Sequence, residues 1–157
     1  MAVNKLHTVP VGALCLMIIA GILLVDIQID KHATTEEALI YYRITHNFFP
    51  LRAVLFGCII VGALDLMVMT YFYPSRLDLV SLTLAGYVLY LFVGAIAPQL
   101  EAAIQPNAEE VIITAALETI RDVHVYMFPT ILLLIVAIAM KHRGSSEDSS
   151  AVKTKSQ

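Results

Sequence analysis

Four long apolar runs, at residues 10–29, 51–72, 77–97 and 123–140, dominate this chain. At about 1.5 Å of rise per residue, each reaches across the roughly 30 Å of hydrocarbon in a bilayer. Hydrocarbon supplies no partners for backbone N–H and C=O groups, so each run is read as a helix. With 59% hydrophobic and 15% charged residues and a mean hydropathy of +0.78, the chain is too apolar for an ordinary soluble domain. The expected fold is all-α: a four-transmembrane-helix, up-down-up-down bundle over residues 1–143. Residues 144–157, rich in Ser with Glu, Asp and Lys, have little to bury and are expected to form a disordered cytosolic tail.

The first run follows Lys5, as the core of a signal peptide would, but Val25, Asp26, Ile27 and Gln28 offer no small-x-small cleavage site. It is therefore read as an uncleaved anchor. Lys5, Arg76, Lys141 and Arg143 then fall on one side of the membrane, which places both termini in the cytosol. Residues 30–48 and 99–122 fall on the other side. That face carries Asp30, Glu36, Glu37, Glu101, Glu109, Glu110, Glu118 and Asp122, which excludes a basic surface for nucleic acid. The partners implied are membrane lipid and a small hydrophobic ligand. Oligomeric state is left open.

Two segments say the same thing twice. Arg43 and His46 precede Pro50, and Arg121 and His124 precede Pro129, each at the mouth of an apolar run. Such repetition about half a chain apart points to an internal two-helix repeat. Thr34 with Glu37, and Asn107 with Glu110, fit capping boxes. The second helix is thus expected over residues 35–72 and the fourth over 108–143, kinked at Pro50 and Pro129. Tyr73, Pro74 and Ser75 leave room only for a tight turn between spans 2 and 3. In an up-down bundle, spans 2 and 4 lie diagonally, so His46 and His124 arrive at similar depth.

Asp26, near the outer end of span 1, would join them, and a carboxylate beside two imidazoles can orient a tautomer, raise basicity or complete a metal shell. Arg43 and Arg121 share helix faces with the two histidines. The candidate catalytic residues are therefore His46, His124, Arg43, Arg121 and Asp26. The plainer account is an interfacial ion-pair ladder, Glu118 with Arg121 and Arg43 with Asp26. Cofactor and metal content are left open: none, a metal bound by His46 and His124, or a haem with these two as axial ligands.

Asp65 is the one acid deep in a span, and Thr83 is a candidate partner for it. Cys15 and Cys58, on antiparallel spans, are expected roughly 10 Å apart by helix rise, which argues against a disulfide. Gly57, Gly62, Gly86 and Gly94 permit close helix approach. The pairs Tyr41 and Tyr42, Phe48 and Phe49, and the Tyr71 to Tyr73 group read as interface belts.

Four spans in about 150 residues, a histidine at the mouth of span 2, Pro98 and Gln99 after span 3, and His124 opening span 4 together resemble the anthrone oxygenase-like membrane family. The resemblance covers the bundle. The chain departs from the family in having no Trp. The resemblance implies cofactor-poor oxidation of a polyaromatic ketone, with His46 and His124 as acid/base residues. Arg43, Asn47, Phe49 and Pro50 echo a motif of microsomal glutathione transferases, an alternative membrane enzyme class. Lys153 and Lys155 resemble a Lys-x-Lys-x-x retrieval signal of the endoplasmic reticulum. The functional expectation is a multi-pass reticulum protein acting as an oxygenase or isomerase-type enzyme on a small hydrophobic aromatic substrate. The alternative is a non-catalytic lipid or sterol binder, or an assembly factor.

Overall fold

A computed structural model describes residues 11–72 and 74–154, with side-chain surroundings through residue 141. Lys5 and Lys155, used above for orientation and retrieval, lie outside the described residues. The order is α1 (Val11–His32), α2 (Thr35–Asn47), α3 (Phe49–Phe72), α4 (Leu77–Tyr90), a π-helical turn (Leu91–Ile96), α5 (Ala97–Ile104) and α6 (Glu110–Thr154). Val11–His32, Phe49–Phe72, Leu77–Ile104 and Glu110–Lys141 are each long and apolar enough to cross a membrane. The chain is a multi-pass integral membrane protein, all-helical over its described residues.

The expected second helix is two helices. Its start is as read: the Thr34 N–H donates to the Glu37 carboxylate at 2.8 Å, and the Glu37 N–H donates back to Thr34 Oγ1 at 3.3 Å. The bond from the Thr34 backbone, then that from its hydroxyl, holds the Glu37 carboxyl below its ordinary range. The continuity fails at Phe48, whose ψ of 93° is extended rather than helical. Pro50 has no N–H to give to the carbonyl four residues back, and its fixed φ suits the first turn of a new helix better than the interior of an old one. The chain therefore stops and restarts instead of kinking.

Pro129, by contrast, sits inside a continuous α6. The two Arg-x-x-His segments accordingly take different positions, one ending α2 and the other within α6. Helix α6 begins at Glu110, two residues later than expected, with the Ile113 N–H bonded to the Glu109 carbonyl. Its backbone continues helical to Thr154, past Arg143. In span 3 the Ala97 N–H reaches back five residues to the Phe92 carbonyl. A proline ring collides with the carbonyl four residues earlier, and this widened turn lies just where Pro98 would meet Gly94.

Lipid tails are as apolar as Leu, so burial alone does not select helix partners in a bilayer; close packing and polar links do. Helix α1 packs on α3 and α6, while α4 and α5 pack on α6. Ala20 and Leu23 of α1 meet Leu91 and Ile96 of the π turn and Met127, Ile131 and Ile135 of α6 in the main core. Ala13, Leu66, Leu134 and Ile138 close one end. Ala38 and Tyr42 of α2 close the other against Leu117 and Ile120.

Polar links then set the register. The Gly12 N–H, in the first turn of α1, donates to Asp65 Oδ2 at 2.9 Å. Thus Asp65 is answered by a helix N-terminus rather than by Thr83, whose hydroxyl bonds the Leu79 carbonyl at 2.7 Å. Docking Gly12 on Asp65, well before α3 ends at Phe72, slides α1 along α3 relative to the spans paired end to end. Cys15 and Cys58, expected roughly 10 Å apart, consequently meet side chain to side chain as free thiols. Near the same end, Asp78 accepts from the Ser75 N–H and forms a buried ion pair with Lys141 of α6.

Candidate functional site

At the opposite end of the bundle, Asp26 and Asp30 stand four residues apart on α1 and so share a face. The short link at residues 33–34 turns the chain back, and α2 lays two adjacent tyrosines over that face. The Tyr41 hydroxyl donates to Asp26 Oδ1 at 2.6 Å, and the Tyr42 hydroxyl donates to Asp30 Oδ1 at 2.7 Å. The other oxygen of Asp30 lies 2.8 Å from His124 Nδ1 on α6. The His124 and Asp30 side chains are 4% and 3% exposed. Three helices thus converge on one carboxylate.

The aromatic rings complete the enclosure. Tyr41 and Tyr42 meet edge to face with centroids 5.3 Å apart, and the Tyr42 ring lies 6.4 Å from the imidazole of His124. Burial, and next the hydrogen bond to its aspartate, raises each phenol above the ordinary tyrosine range. Both tyrosines therefore stay neutral donors. They are not the lipid-facing belt that the sequence pattern alone indicated.

Where Asp30 accepts from the imidazole, the His124 proton is on Nδ1 and Nε2 is the nitrogen left with a lone pair. No other bond engages the His124 ring among the described residues. His46 lies one turn beyond Tyr42 on α2, its Nδ1 buried and without a hydrogen-bond partner. The residues named in advance are thus dispersed around this centre. His124 occupies it, Asp26 adjoins it through Tyr41, and His46 flanks it on α2. Arg43 and Arg121 are exposed, and the anticipated pairs of Arg43 with Asp26 and Glu118 with Arg121 are not among the ion pairs of the described residues. Asp26 is instead taken by Tyr41.

Asp30 was missed as a site residue because it read as one more acid of an acidic face. Its signal was the four-residue spacing from Asp26. Among the described residues no group of three His, Cys, Asp or Glu is placed to hold a metal ion. No family model matches this chain, and neither a curated relative nor a solved structure resembles it at a significant level.

Proposed function

We propose that this chain is an endoplasmic-reticulum membrane enzyme, both termini cytosolic, that abstracts an acidic C–H proton from a small hydrophobic aromatic ketone. The buried contact between His124 and Asp30 carries the reading, because a carboxylate that fixes an imidazole's tautomer turns its far nitrogen into a competent general base. His124 is the base, and His46 with Arg121 steadies the developing enolate. Following the resemblance to anthrone oxygenases, the enolate is oxidised by dioxygen. The methylene becomes a second carbonyl and one water is released, so atoms and electrons balance without a bound cofactor.

Purified protein in nanodiscs, given anthrone and air, tests this by the rate of anthraquinone formation over the uncatalysed background. His124→Ala should lose about 10²-fold or more. Asp30→Asn should lose most of the same rate while the bundle stays folded. Wild-type protein that does no better than background would overturn the reaction.

A second reading has its own support. Asp26, Asp30, Tyr41, Tyr42 and His124 Nδ1 are all satisfied by one another, as they would be in a clamp that only fixes α2 in a lipid or sterol binder. In that case His124→Ala would destabilise the protein and change no turnover.

A further inference from the structure

We infer that the junction of α2 and α3 is a binding site for the phosphate of an anionic membrane phospholipid, held between Arg43 and Arg52. Helix α2 has two faces. Ala38 and Tyr42 are buried against α6, whereas Ile40, Ile44 and Phe48 follow one another at four-residue steps on the outside, with Ile44 63% exposed and Phe48 55%. Phe49, at 71% exposure, continues this apolar stripe directly into α3, which crosses the membrane. A helix with an apolar outer stripe, joined end to end to a spanning helix, rests at the headgroup level.

The charges along α2 are graded in the same sense. Glu36 and Glu37 lie in its first turn, far from the span, and Arg43 lies near its last. Arg43, Ile44, Asn47 and Phe48 line a shallow open hollow on the surface. Arg52 stands one turn into the span and is exposed, its N–H bonded to the Phe48 carbonyl. Neither guanidinium forms a hydrogen bond or ion pair among the described residues.

An exposed guanidinium at the edge of hydrocarbon is costly until it reaches an anion, and its long stem lets it snorkel toward the phosphates. Arginine presents planar paired donors that suit a phosphodiester. Two exposed cations on either side of the Phe48 break, on a segment that also carries Asn47, suit the phosphate of a headgroup with net negative charge. The acidic residues elsewhere on this end of the protein would repel such a lipid, so the junction is the place where it would settle.

Native mass spectrometry of the full chain, taken from micelles containing equal parts of phosphatidylglycerol and phosphatidylcholine, tests the site. Wild-type protein should retain phosphatidylglycerol preferentially. Arg43→Gln and Arg52→Gln should each weaken that preference about tenfold, and the double variant should abolish it. Both side chains are exposed, so unfolding in detergent should stay close to wild type. Preference that persists in the double variant, or is absent in the wild type, overturns the inference. Displacement of the lipid by millimolar inorganic phosphate would also overturn it, since a soluble anion would then be the ligand.

Discussion

His124 on α6 and Asp30 on α1, 94 positions apart in the chain, hold Nδ1 and Oδ2 at 2.8 Å where almost no solvent reaches. In that setting the loss of one partner leaves the other as an uncompensated polar group. Asp30→Ala should cost about 3 kcal/mol or more, measured by unfolding in detergent. Asp26→Ala removes a single bond from Tyr41 and should cost only about 1 kcal/mol. Equal losses for the two would deny Asp30 its central place.

The register of α1 on α3 rests on Gly12. A Cβ there would come within 2.6 Å of Asp65 Oδ2, whereas one at Gly21 would meet nothing within 4 Å. Gly12→Ala should therefore destabilise the bundle by about 1 to 3 kcal/mol. Gly21→Ala should be neutral or gain up to about 1 kcal/mol through helix propensity. Thermal unfolding of the two variants, side by side, separates a packing effect from a backbone one.

Alkaline stability should depend on the tyrosine pair. Both phenols are raised above the ordinary value of 10.0, so the folded state favours their protonated forms. Their contribution is whole below pH 10.0 and is lost as pH rises above it, because the unfolded chain gives up these protons first. Melts on either side of that pH should show the fall. The fall should shrink in a Tyr41→Phe, Tyr42→Phe double variant, whatever its starting stability.

At the far end of the bundle, Asp78 and Lys141 form a buried pair. Asp78→Ala should cost about 3 to 5 kcal/mol, while replacing both by apolar residues of similar volume should cost far less. A double-mutant cycle by chemical unfolding reads the difference.

What could be read in advance followed from one-dimensional patterns. The spans showed as apolar length, the start of α2 as Thr34 with Glu37, and His124 as an imidazole at the mouth of a span. Contacts between helices were less legible. Nothing in the spacing tells that Asp65 takes the first turn of α1, so helix rise alone sets Cys15 and Cys58 at different depths. Tyr41 and Tyr42 resemble interfacial aromatics until the turn at residues 33–34 brings α2 back over Asp26 and Asp30. Pro50 is compatible with a kink or with a fresh start, and the extended Phe48 decides between them.

The proposed chemistry turns on which nitrogen of His124 carries the proton. Nitrogen-15 NMR of histidine-labelled protein in nanodiscs, assigned with His124→Ala, reads that directly. The predicted result is a protonated Nδ1 and a bare Nε2 in the wild type, with this tautomer no longer fixed in Asp30→Asn. A proton found on Nε2 of the wild-type protein would contradict the assignment of His124 as the base.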